Sequence, residues 1–280
     1  MRTINKIIPA RMQNMGELKV RQPLPSAELE YLDPFVLLHH GHMFTDPNEN
    51  MKQAGVGPHP HKGFSPVTFM FKGGVNHRDS RGNNKSVNEG GTQWMNAGMG
   101  IMHSERPTTT EQELIQMWIN SPAKNKNDQP YYHPLTKEET PFYKSEDGKI
   151  TVNVITGELR GIKGPIPTLT PINSATIYAL GSGKIIINIP KTHNAFLYLL
   201  DGVLKVDGKE ITGKNFIEFK NDDDSISFEA LEDTRALLMS GEPINEKIVA
   251  HGPFVMNTET EIMEAFRDYR MGKMGVLIED

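Results

Sequence analysis

Short apolar runs closed by glycine, asparagine or aspartate recur along the whole chain. Pro66–Phe71 (PVTFMF), Leu114–Ile119 (LIQMWI), Ile150–Ile155 (ITVNVI), Ala175–Leu180 (ATIYAL), Lys184–Ile189 (KIIINI) and Ala195–Leu200 (AFLYLL) are rich in β-branched and aromatic residues, the composition of strands. Asp147-Gly148, Asp201-Gly202 and Asp207-Gly208 lie between or just after such runs and are dipeptides that close tight hairpins. Evenly spaced short strands with these turns predict a sandwich or barrel rather than a parallel sheet. One segment breaks the pattern. Thr258–Glu261 (TETE) has the form of a capping box, and Ile262, Phe266 and Tyr269 follow at i, i+4 and i+7. This predicts a helix over about 258–271, stopped at Gly272 and docked on a sheet or barrel by its apolar face.

The best boundary lies in Ser121–Tyr143, which contains the polar, proline-bracketed SPAKNKNDQP. It divides the chain into two domains of similar size, 1–130 and 131–280. A weak internal echo links them: Phe69–Gly73 (FMFKG) and Tyr198–Gly202 (YLLDG) are each an apolar strand ending in a polar–glycine turn. The expected architecture is all-β, two related β-domains, each a sandwich or barrel, with a C-terminal helix.

Composition narrows the chemistry. The 280 residues contain no cysteine and ten histidines, so disulfides, cysteine-ligated zinc, iron–sulfur clusters and thiol nucleophiles are excluded. Any metal must be held by His, Asp or Glu, which points to borderline or hard cations. The formal charge is −5 and there is no Lys/Arg block, which argues against direct nucleic-acid binding. Met1–Val20 lacks the apolar core of a signal peptide, and no apolar run is long enough to span a membrane. A soluble, cytoplasmic protein is expected, with a nuclear location as the alternative in a eukaryotic cell.

The strongest chemical signal is Pro58-His59-Pro60-His61. On an extended strand, residues i and i+2 share a face, and Pro60 biases His59 toward extended backbone. His103 and Glu105 repeat that spacing in Gly98–Glu105 (GMGIMHSE). Two such pairs on neighbouring strands of a small barrel would converge, supplying three imidazoles and one carboxylate. An isolated His-x-His is more often a pair of surface imidazoles; the second pair about forty residues later turns the balance toward a metal site. The donor set suits one divalent ion, Fe(II), Mn(II), Ni(II), Cu(II) or Zn(II).

The stretch His59–Glu105 (HPHKGFSPVTFMFKGGVNHRDSRGN…GGTQWMNAGMGIMHSE) resembles the signature of the pirin family within the cupin superfamily. Leu32–Phe35 (LDPF), Leu114–Pro122 (LIQMWINSP) and Gly252–Asp268 (GPFVMNTETEIMEAFRD) look like further pirin segments. The resemblance implies a bicupin with the metal in the N-terminal barrel, held by His59, His61, His103 and Glu105. Two departures stand out. Pirin-like sequences usually carry Glu at the place of Ser65, and an acidic residue near the barrel mouth where this chain reads Leu38-His39-His40-Gly41-His42.

Other residues have blander readings. His40 and His42 could form an accessory metal site but read better as polar lining, because no carboxylate pair follows them in sequence. His77 and Asp79 read as a hydrogen-bonding pair, and His133, His193 and His251 as structural or surface residues. The second barrel shows no His-x-His or His-x-Glu at the corresponding place, so it is expected to be metal-free. Met95, Met99, Met102 and Met117 read as gap-fillers, and Trp94 and Trp118 as barrel packing. The resemblance implies two functions. One is a quercetin-type flavonol 2,3-dioxygenase, opening a small aromatic substrate with O₂ and using Glu105 as catalytic base. The other is a non-catalytic, metal- or redox-sensing regulator that binds a transcription factor or metabolic enzyme. A different small-molecule cupin activity, such as an isomerase, is a weaker third.

Overall fold

The computed structural model describes residues 1–279 apart from 17 and 49. All six apolar runs fall on strands, with Leu180 and Ile189 one residue past the ends of theirs: Phe64–Lys72, Glu111–Asn120, Ile150–Thr156, Ile172–Ala179, Lys184–Asn188 and Asn194–Asp201. At Asp207-Gly208 both residues have positive φ (47° and 72°) and join Val203–Val206 to Lys209–Thr212. This is the turn whose twist matches a two-stranded ribbon, which is why Asp-Gly occupies it.

The chain forms two compact units, neither continuous in sequence. One comprises Met1–Gln13, Arg21–Pro34 and Glu138–Pro243. Its larger sheet has the order Ile4–Pro9, Asn215–Phe219, Asn194–Asp201, Thr234–Gly241, Ile172–Ala179, Ile150–Thr156, Phe142–Lys144. A four-stranded sheet completes it: Lys184–Asn188, Ser225–Ala230, Val203–Val206, Lys209–Thr212. Alternate residues of these strands, among them Val152, Val154, Ile177, Leu197, Leu199, Ile226, Phe228 and Leu238, form its core.

The other unit comprises Asn14–Val20, Phe35–Lys137 and Ile244–Asp280. Its larger sheet runs Tyr131–Leu135, Thr92–Asn96, Phe64–Lys72, Glu111–Asn120, Phe35–Phe44. Its second sheet is Val56–His61, Ile101–Pro107, Gly74–Asp79, Asn84–Asn88. Among the described residues the paired strands run antiparallel, and two isolated bridges, Lys62 to Phe254 and Thr156 to Ile166, are parallel.

The division at 130/131 is therefore corrected in two respects. The chain passes between units at Lys137/Glu138, inside the polar stretch singled out above, but the termini are exchanged. Ile4–Pro9 pairs with Asn215–Phe219 in the unit built mainly from the second half. Arg2 is buried there, donating to the carbonyls of Pro190, His193 and Asp223 and to Asn221. The C-terminal segment instead joins the His-rich unit. Phe254, Met256, Ile262, Ala265 and Met274 form one cluster there. Val255 donates its N–H to the Lys62 carbonyl. Gly63, with φ +85°, leaves room for this approach, since a Cβ would stand 2.1 Å from the Val255 carbonyl oxygen.

The helix spans Glu259–Arg270 and is capped as expected: the Glu261 N–H donates to Thr258 Oγ1, and Glu261 Oε2 accepts from the Asn257 N–H. Ile262 and Ala265 are buried and Phe266 packs against them, whereas Tyr269 is exposed, so the docked stripe is shorter than the periodicity suggested. Among the described residues no helix is long and apolar enough to cross a membrane.

Candidate metal centre

Two neighbouring strands bring the histidines together. Val56–His61 pairs antiparallel with Ile101–Pro107, placing His103 directly opposite His59, with His61 two residues further on the same side. The three rings lie with centroids 4.2 to 4.9 Å apart. One nitrogen from each falls within 4.8 Å of the others. His61 and His103 are buried and His59 half-buried.

Each Nδ1 has a partner. His59 Nδ1 lies 2.8 Å from the Gly57 carbonyl oxygen, His61 Nδ1 lies 3.3 Å from that of Pro253, and His103 Nδ1 lies 3.4 Å from His77 Nδ1. The first two bonds require the proton on Nδ1 and leave the lone pair on Nε2. Nε2 of His61 and Nε2 of His103 are buried and find no hydrogen-bond partner. Burial, reinforced by the neighbouring His59 ring, holds both pKa values well below the ordinary histidine range. Neutral imidazoles with oriented, unmatched lone pairs are the donors a divalent cation requires, and buried nitrogens without one would carry a desolvation cost. The residues fit a metal.

Glu105 is not brought into that set. The register shifts between His103 and Glu105, so Glu105 faces Val56 rather than continuing the His59 row. Its carboxylate lies against a polar row on the other sheet. Gln93, Thr68, Gln116 and His39 sit directly opposite one another on four successive strands. Gln93 Nε2 and Thr68 Oγ1 donate to Oε1, and Gln116 Nε2 donates to Oε2 at 2.9 Å. Gln116 in turn accepts from Trp118 Nε1–H at 3.1 Å, and the Trp118 ring packs 5.3 Å from His61. Gln93 Oε1 accepts from Tyr132 Oη–H at 3.0 Å. Beyond Glu105 lies a mainly apolar cavity walled by Val20, Met43, Val56, Val75 and Leu114, with Gln112 and His39 as further polar lining. Burial lowers the His39 pKa to about 4, so its ring there is neutral.

His77 and Asp79 do form the expected pair, Nε2 to Oδ2 at 2.9 Å. The expectation that His40 and His42 lack carboxylates is corrected. The facing strand Glu111–Asn120 supplies them, with His40 Nε2 3.1 Å from Glu113 Oε1 and His42 Nε2 2.9 Å from Glu111 Oε1. Ser65 is buried, 3.5 Å from Asn96 Oδ1. Met95, Met117 and Trp94 are core residues, but Met99 is exposed. His193 is buried in the other unit against Ser240, and His133 and His251 lie outside the triad. Sequence reasoning missed Gln93, Gln116, Tyr132 and the Pro253 carbonyl; the available signal was a glutamine interrupting the apolar run LIQMWI on a buried strand.

Comparison with known proteins agrees with this architecture. The Pirin family profile matches residues 17–119, and that of the Pirin C-terminal cupin domain matches residues 179–275. A pirin-like protein of Solanum lycopersicum is 35% identical over 98% of this chain and 93% of its own length. Human pirin is 35% identical over 92% of this chain and 88% of its own. The crystal structure of a quercetin 2,3-dioxygenase from Acinetobacter baumannii superposes with a TM-score of 0.92 at 31% identity, covering 99% of this chain and 100% of that one. With both cupin domains matched in order and the similarity running nearly end to end, this chain belongs to the pirin family of bicupins.

Proposed function

We propose that this pirin binds a divalent metal ion, iron(II) first, on His59, His61 and His103, with Glu105 as base rather than fourth ligand, and that it is a flavonol 2,3-dioxygenase of the quercetinase type. The observation that carries the metal reading is the pair of buried, unpartnered Nε2 atoms in a triad whose Nδ1 positions are already engaged. The similar Acinetobacter baumannii protein, described as a quercetin 2,3-dioxygenase, supports the reaction. When bound, the ion would supply Lewis acidity and a redox-active centre for O₂ chemistry.

The chain's own residues do the remaining work. Glu105 lies two residues from His103 on the same strand, and its carboxylate accepts from neutral donors. It is the base positioned to take a hydroxyl proton from the substrate. Val56, Val75 and Leu114 give the cavity beside Glu105 apolar walls, with His39 and Gln112 as polar lining. The experiment is oxygen uptake with quercetin after metal analysis and iron loading. Uptake is expected in the wild type and loss of it in His59→Ala. A fully metallated protein that consumes no oxygen with any flavonol would overturn the dioxygenase and leave the regulator.

A further inference from the structure

His103 is oriented differently from the other two histidines. His59 and His61 donate Nδ1–H to backbone carbonyls, whereas the partner of His103 Nδ1 is another ring nitrogen, His77 Nδ1, at 3.4 Å. One of two facing ring nitrogens must be protonated and the other bare, so the tautomer of His103 depends on that of His77. His77 Nε2 lies 2.9 Å from Asp79 Oδ2. Asp79 cannot change its role. Oδ1 accepts the backbone N–H groups of Arg81 and Asn83, and Oδ2 also accepts from Asn83 Nδ2. A carboxylate so held is an acceptor toward His77. The His77 proton therefore sits on Nε2, its Nδ1 is bare, and His103 must carry its proton on Nδ1. Tyr132 stacks on His77 with centroids 4.0 Å apart and planes 5° from parallel, which fixes the ring that transmits this information.

We propose that Asp79 and His77 form a positioning relay that sets the tautomer of His103 and so presents its Nε2 lone pair to the metal. The proposal rests on the triad being a metal site, and it is independent of any turnover there. It makes an unusual prediction for a near-isosteric change. In Asp79→Asn the amide oxygen is required by the two backbone N–H groups, which places NH₂ toward His77. His77 must then accept at Nε2 and move its proton to Nδ1. That proton faces His103, whose own proton is displaced to Nε2, where it blocks the metal. In His77→Asn, by contrast, an amide oxygen near the position of Nδ1 still accepts from His103.

The test uses the full chain stripped of metal with a chelator, then titrated with zinc against a chromophoric competitor. Histidine ¹⁵N chemical shifts of the metal-free protein report the tautomers, and thermal melts check folding. The expected result is His103 protonated on Nδ1 in the wild type and in His77→Asn, and on Nε2 in Asp79→Asn. Zinc affinity is expected to fall by about 10- to 100-fold in Asp79→Asn and to stay within about threefold in His77→Asn. Equal losses in both variants would indicate packing alone and overturn the relay. So would an unshifted His103 tautomer or unchanged affinity in Asp79→Asn. If the wild type itself binds no zinc, the metal-centre reading fails, and the tautomers still decide whether the relay exists.

Discussion

At the scale of single residues, the site is a contrast between what repeats locally and what is gathered from afar. His59, His61 and His103 were legible because a strand shows period-two pairs directly in the sequence. Glu105 shares that spacing, yet a register shift next to it sends its carboxylate to the polar row of the other sheet, an event with no local signature. Gln93, Thr68 and Gln116 are ordinary residue types on three separate strands, so nothing in their neighbours marks them as one cage. His39 belongs to the same row and carries a pH consequence. Its ordinary pKa is 6.5 and burial lowers it to about 4. Above 6.5 both folded and unfolded chains hold it neutral; as pH falls, the unfolded chain binds a proton that the folded chain refuses until about 4. Stability therefore declines across that window, by up to about 3 kcal/mol from this residue. His39→Leu is expected to flatten the change in urea midpoint between neutral and acidic pH. An unchanged slope would count against the burial argument.

At the scale of elements, the strands and the helix cap were legible because alternation, β-branched content and the capping box are local statements. What alternation could not show is how the loops around the His61 strand are held. Lys126, fully buried next to the short helical turn Ala123–Asn125, donates Nζ–H to the carbonyls of Gly63 and Val255 and to Asn120 Oδ1 at 2.7 to 2.8 Å. A lysine in a stretch as polar as SPAKNKNDQP looks like solvated linker; here it ties the end of the His-Pro-His segment to the C-terminal strand and to the end of the Glu111–Asn120 strand. Lys126→Met keeps the apolar stem and abandons three buried acceptors. The expected loss is about 3 kcal/mol of unfolding free energy, each unsatisfied acceptor costing on the order of 1 kcal/mol or more. Chemical denaturation measures it. A variant as stable as the wild type would show that water replaces the ammonium without penalty.

At the scale of the whole molecule, the termini are exchanged between the units, and no reading by composition or periodicity can detect this, because Ile4–Pro9 and Phe254–Met256 look like any other short strands. The exchange yields opposite predictions from those of two contiguous domains. Deleting residues 2–9 removes Ile4 and Ile8, whose burial contributes about 1.5–3 kcal/mol each, together with the buried Arg2 contacts. It also strips one of the two partners from the Asn215–Phe219 strand and leaves only its pairing with Asn194–Asp201. That deletion is expected to raise hydrogen exchange across residues 138–243 while leaving zinc affinity intact. Ending the chain at Pro243 removes the Pro253 carbonyl that orients His61, the Val255 carbonyl that engages Lys126, and the cluster around Phe254 and Ile262. Zinc binding at His59, His61 and His103 is then expected to be lost although all three ligands remain. Two contiguous domains would give the reverse, with the first deletion abolishing zinc binding and the second sparing it, and zinc titration of both truncated chains decides between them.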